Sequence, residues 1–299
     1  MDAKKDDKGK DDKKPVLPIY APGPLGKVIR EINECGPEEH IFTNLSLELE
    51  GPIAIITLNR PDTLNVFTLP MLSDLEAALD KIIKTPKTKC IIFKSCTSKA
   101  FSAGADIREM SSRDVMGGIE FAEIGHRIGR KLELEVPPVV IALNGLVLGG
   151  ACEFCCACDI RVATKQTYFS QPEINIGVIP GWGGTQRLMR LIGVSKAKEM
   201  IYTGNRVDAD TALDLGLVNY VVEQDQLMPT VNNIATAIAS KSKPVLMAAK
   251  QAFHIGLNST LEAGLRFEVQ KWGTLFGSYD RTEGMKAFLE KRHPEWHDR

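Results

Sequence analysis

Short, strongly apolar runs that alternate with helix-patterned segments constrain the fold of this chain more than any other feature. Residues 45–50 and 53–58 read as a strand pair around Gly51-Pro52, the first alternating and the second almost wholly apolar. Residues 90–93, 139–143, 160–163 and 218–222 read as further short strands. Between them, 69–83 and 115–134 carry apolar residues at helical spacing, although Gly117 and Gly118 weaken the start of the second. From residue 227 onward the pattern is helical almost throughout, with breaks expected at Lys243-Pro244 and around Gly277. Strands with interleaved helices, then a run of helices, predict an α/β core with a helical C-terminal unit. No internal repeat at a solenoid period is present.

A chain of 299 residues holds one large domain or two smaller ones. Its formal net charge of −1 supplies no field for nucleic acid or an anionic membrane. No apolar run reaches the roughly 18 residues of a transmembrane helix. Seven cysteines, four of them within 152–158, do not form the framework of a secreted disulfide protein, so a reducing, cytoplasmic location is expected. Residues 1–14 alternate lysine and aspartate with no large apolar side chain after Met1, and nothing there offsets the entropy of ordering. The segment lacks the apolar h-region of a secretory signal. Four prolines and two glycines in 15–26 predict an extended linker, and ordered structure is expected to begin between residues 27 and 41.

Two glutamates stand in apolar sequence. Glu153 is the only charge between Pro138 and Asp159, and Glu173 lies in Ser170-Gln171-Pro172-Glu173-Ile174. Buried carboxylates are costly, so one that persists is neutralised by a partner or kept for chemistry. Two of them in one apolar pocket would make an acid/base pair with environment-tuned pKa values. Glu153 falls in the first turn of an expected helix, where the macrodipole favours its anion and its neighbours favour the neutral acid. The bland alternative is a capping-box glutamate that satisfies the helix N-terminus. Cys152, Cys155, Cys156 and Cys158 lie along that helix with no second ligand pair, so buried thiols are expected rather than a metal site. The five histidines are scattered and form no readable catalytic arrangement.

Three glycine-rich segments punctuate the strands and helices: Phe101-Ser102-Ala103-Gly104-Ala105-Asp106, Asn144-Gly145 with Gly149-Gly150-Ala151, and Pro180-Gly181-Trp182-Gly183-Gly184-Thr185. None is a Walker loop or a clean dinucleotide fingerprint. Glycines at such turns let backbone approach a ligand, and two N–H groups from two turns could converge on one developing oxyanion.

These strings, with Gln171-Pro172-Glu173 and Gln186-Arg187-Leu188, resemble the crotonase (enoyl-CoA hydratase) superfamily from about Phe42 to the C-terminus. The branch that the chain looks most like is enoyl-CoA hydratase itself. The resemblance implies a spiral of β-β-α turns followed by C-terminal helices that build a homotrimer, often paired as a hexamer. The implied division is a tail and linker over 1–40, a catalytic core over 41–245 and a helical oligomerisation region over 246–299. It also implies an oxyanion hole at the backbone N–H groups of Ala105 and Gly150 and catalytic carboxylates at Glu153 and Glu173. Gly181 is implied beside the reacting water. Ala103, Asp106, Arg108, Phe288 and Lys291 match coenzyme A-binding positions, Lys291 reaching the nucleotide of a neighbouring subunit. The substrate class is an acyl-CoA thioester, and coenzyme A belongs to the substrate, so no separate cofactor is expected.

Glutamate at both positions favours a hydratase, or a dehydratase in reverse, over the isomerases, hydrolases, dehalogenases and decarboxylases that share the oxyanion hole. Some superfamily members bind RNA. Here the aspartates of the N-terminal tail nearly cancel its lysines, which leaves little attraction for phosphates. Trp182 stands where a small residue is common, either narrowing the acyl pocket or covering the loop.

Overall fold

The computed structural model describes residues 38–299, so the expected tail and linker lie outside the described residues. Strands β1 (Glu38–Ile41), β2 (Leu45–Glu50) and β3 (Ile53–Leu58) form an antiparallel meander. Helix α1 (Leu69–Ile83) then crosses to β4 (Cys90–Ser95), which pairs parallel with β3. Thr68 caps α1 by accepting from Met71 N, and Met71, Leu72, Leu75, Leu79 and Ile82 bury its apolar stripe.

Beyond β4 the chain repeats one manoeuvre. A long strand is followed by a three-residue strand in a second sheet, then by a helix. β4 leads to β5 (Ala100–Ser102) and helices α2 (Ile107–Ser111) and α3 (Val115–Arg130). β6 (Val139–Leu143) leads to β7 (Leu146–Leu148) and α4 (Gly150–Ala157). β8 (Ile160–Thr164) leads to β9 (Tyr168–Ser170), a single-turn helix over Pro172–Ile176, α5 (Gly184–Ile192) and α6 (Val194–Thr203). β10 (Val207–Asp208), α7 (Ala209–Asp214) and β11 (Tyr220–Val222) close the sheets, whose orders are β1-β2-β3-β4-β6-β8-β11 and β10-β9-β7-β5. This is the spiral of β-β-α turns implied by the resemblance.

Strand alternation gives the large sheet two buried faces. Ile91, Phe93, Val139 and Ile141 join one core with α1, α3 and α4; Cys90, Ile92, Val140 and Ala142 join a second core against α8 (Leu227–Ala239). Helices α9 (Lys243–Leu257), α10 (Leu261–Leu275) and α11 (Tyr279–Leu289) follow, and α10 buries no residue within the chain. No helix among the described residues is long and apolar enough to cross a membrane.

Several expected boundaries move for physical reasons. The helix expected over 115–134 is α-helical only to Arg130, then widens into a π-type turn over Lys131–Glu135. Pro137-Pro138 forces Val136 into extended backbone, and its N–H closes on Lys131 O at 3.1 Å. Gly117 and Gly118 do not delay the helix, because Asp114 caps it by accepting from Gly117 N at 2.9 Å. The break expected at Lys243-Pro244 falls over residues 240–242, between α8 and α9, and Pro244 sits in the first turn of α9, where proline fits. β4 and β8 extend beyond the expected ends, and β11 is shorter than 218–222.

Candidate active site

The short strands carry the turns that build the site. Gly149 adopts φ +54° between β7 and α4, and a Cβ there would sit 3.0 Å from Glu173 Oε1. Glycine therefore lets this turn close onto the second glutamate. Gly150 is the first residue of α4, so its N–H has no intrahelical acceptor. The turn after β5 lies alongside: a Cβ on Gly104 would be 2.7 Å from Leu148 O and 3.6 Å from Gly150 N. Phe67 bridges this turn through Gly104 O and Asp106 N, so backbone alternation leaves the Ala105 N–H on the opposite side. Two unengaged donors thus come from adjacent turns, as an oxyanion site requires.

Glu153 is buried to 2% exposure in α4, and its Oε1 accepts from Trp182 N at 2.7 Å and Gly184 N at 2.6 Å. The capping-box alternative is corrected by this geometry. The N-cap, Gly149, has no side chain, Glu153 is one residue too far along, and its carboxylate reaches the 181–184 loop instead. Burial pushes its pKa from 4.5 up to about 7, with the Glu173 charge adding to the rise and the two backbone donors opposing it. Desolvation and the Glu173 charge therefore outweigh the two hydrogen bonds and the Arg187 charge.

Glu173 is half-buried in the single-turn helix, and burial raises its pKa likewise to about 7. Gln171 is fully buried beside it. With its amide nitrogen facing the carboxylate, Gln171 donates to Oε1 at 3.0 Å and to Oε2 at 3.1 Å. Its role is invisible in sequence, where it is only the residue before Pro172.

A cavity of about 500 Å³ gathers Ala103, Ala105, Gly150, Glu153, Glu173 and Gly181 on one wall system, with Trp182 and Phe121 among its apolar lining. Asp106 spends its carboxylate capping α2 through Arg108 N at 2.8 Å, and Arg108 is exposed outside the cavity. Phe288 in the last turn of α11 and Lys291 just past that helix are exposed and do not line the cavity of their own chain. Cys152, Cys155, Cys156 and Cys158 are buried, and burial raises the Cys155 and Cys158 thiols far above their usual range.

The sequence model of the enoyl-CoA hydratase/isomerase family matches residues 48–299. A short-chain-enoyl-CoA hydratase from Clostridium acetobutylicum is 40% identical over 254 residues, 85% of this chain and 97% of that protein. A crotonyl-CoA hydratase from Syntrophomonas wolfei is 38% identical over 251 residues, 84% of this chain and 96% of its own. The crystal structure of an enoyl-CoA hydratase from Bacillus anthracis superposes with a TM-score of 0.82 at 36% identity, covering 86% of this chain and 100% of that one.

Proposed function

The chain belongs to the enoyl-CoA hydratase/isomerase family, and from that premise we propose that it adds water reversibly across the α,β double bond of a short-chain enoyl-CoA. The observation that carries this reading is the pair of carboxylates raised to about 7 in one cavity with two unengaged N–H donors. The thioester oxygen accepts from Ala105 N–H and Gly150 N–H, which stabilise the enolate-like charge; losing one such donor costs roughly 10²- to 10³-fold. Glu153 takes a proton from water as its oxygen bonds to C3, and Glu173 delivers a proton to C2. Gly181 lies beside that water. The reverse steps dehydrate the 3-hydroxyacyl ester. Two relatives named for short-chain and crotonyl substrates support the short-chain preference. Arg108 is assigned to the coenzyme A phosphates, and Phe288 and Lys291 to the nucleotide end of a neighbouring subunit's substrate. A panel running from 3-hydroxypropionyl-CoA and crotonyl-CoA upward tests the reading; no turnover of any ester would end it.

Catalysis needs one glutamate ionised and the other protonated, so kcat/KM should follow a bell centred near neutrality. Both carboxylates rise from 4.5 to about 7. Below that value both carry protons and no base remains; above it both are ionised and no acid remains. The two limbs belong to the pair and not to either residue. A flat profile between about pH 5 and 9 would contradict shared acid/base work.

Residues 246–299 are assigned to oligomer formation. Phe253 and Leu257 on α9 and Leu261, Leu265 and Trp272 on α10 are exposed apolar side chains around a groove of about 500 Å³, and Val269 on α10 adds a further exposed apolar side chain outside it. Patches of this kind mark interaction surfaces. Light scattering at micromolar concentration is expected to give a homotrimer or hexamer, and Leu261→Glu with Val269→Glu to lower that order. A monomeric wild-type protein would refute the assignment.

A further inference from the structure

Trp182 is placed by the same contact that holds the first glutamate. Its backbone N–H donates to Glu153 Oε1, which fixes the main chain from which the indole projects. The ring spans the space between α3 and the start of α4. A Cβ on Gly125 would lie 2.1 Å from indole Cγ and Cδ1, and one on Gly150 would lie 2.3 Å from Cζ3. Both contacts are possible only because glycine stands there. One face of the indole stacks on Phe154 at 5.1 Å and 15°, and Nε1 donates to Phe121 O at 3.2 Å. The ring is pinned on several sides.

Position within the cavity gives this ring its consequence. On the proposed hydratase reading, on which this inference rests, the thioester oxygen sits at Ala105 and Gly150 and C3 sits beside Glu153. Carbons beyond C3 then continue along the cavity wall. The apolar lining at Ile107, Ile176 and Ile179 is exposed and belongs to the mouth, whereas Trp182 and Phe121 are 3% and 5% exposed. The buried end of the cavity is therefore this aromatic wall. We propose that Trp182 is the chain-length stop of the acyl site: its fixed indole closes the buried end and restricts the enzyme to short acyl chains.

The test is a chain-length profile, kcat/KM on crotonyl-, hexenoyl-, octenoyl- and dodecenoyl-CoA, for wild type, Trp182→Ala and Trp182→Phe. The ratio of octenoyl to crotonyl activity is the readout, because a shifted Glu153 or Gly150 lowers every ester alike and cancels. Wild type should lose kcat/KM steeply with length. Trp182→Ala should raise the ratio by about 10²-fold or more, since a single methylene in an apolar pocket is worth about 10-fold. Trp182→Phe keeps a ring on Phe154 and should move the ratio the same way by about 10-fold. If the alanine variant does not fold, the phenylalanine variant decides by the same criterion. A wild-type protein equally active on dodecenoyl-CoA, or a folded variant with an unmoved ratio, would overturn the stop while leaving the hydratase reading intact. Absence of turnover on every ester by wild type would instead remove the hydratase reading and this inference with it.

Discussion

Glu153→Gln and Glu173→Gln are each expected to lower kcat by about 10²-fold or more while the fold and CoA-ester binding persist. Glutamine keeps the shape of the side chain, and at position 153 its carbonyl still accepts from Trp182 N and Gly184 N. It can neither take nor deliver the proton. Losses in the two single variants should not add in the double variant, because the pair acts as one unit. Near-normal turnover in either single variant would remove that residue from the chemistry.

The same substitutions carry a stability signature of definite sign. Each carboxylate has a folded value near 7 against an ordinary 4.5, so between those values the native state binds more protons than the unfolded chain. Stability from these groups is full below about 4.5, falls as pH rises, and is fully lost above 7. Neutral glutamine removes the penalty. Both variants should therefore melt above wild type at pH 8, and the gap should close as pH falls toward 4.5. Melting curves for the three proteins at several pH values check this. A gap that widens on acidification would mean that the carboxylates are held ionised, and the proposed acid/base pair would lose its basis. On the proposed acid/base reading, activity and stability should oppose each other at these two positions, as where a site keeps costly groups for function.

Legibility in the sequence followed the length of each signal. β3 and β6 are runs of apolar residues buried on both sheet faces, so they are plain in sequence. β5, β7 and β9 have three residues each, too few for any period to emerge, and only the glycines after β5 and β7 mark the turns that those two strands carry. Glu153 and Glu173 stood out because charge is rare in apolar sequence. What holds them was not readable: Gln171 donating to Glu173, and the 182–184 backbone donating to Glu153, depend on chain segments meeting in space. The protonation balance at Glu153 likewise required its actual burial, since dipole and desolvation pull in opposite directions.

Arg187 and Glu133 are expected to matter as much for geometry as for stability. Arg187 makes a two-pronged pair with Glu133, at 2.7 and 2.8 Å, and its Nη1 donates to Trp182 O at 2.6 Å. Gly183, at φ +103°, permits this approach, since a Cβ there would lie 2.0 Å from Nη1. The guanidinium thus ties the π-type turn after α3 to the loop whose N–H groups hold Glu153. Arg187→Met should cost about 2–3 kcal/mol, below the figure for a fully buried pair because both side chains keep some solvent contact. It should also lower kcat by about 10-fold or more, since small misplacements of a catalytic group are expensive. Adding Glu133→Leu removes the stranded carboxylate, so most of the stability should return. Activity should not, because Trp182 O still lacks its donor and the loop is no longer held. Denaturation midpoints and kcat for the two single variants and the double variant separate the effects. Recovery of kcat together with stability in the double variant would reduce the pair to a structural brace, with no part in holding Glu153.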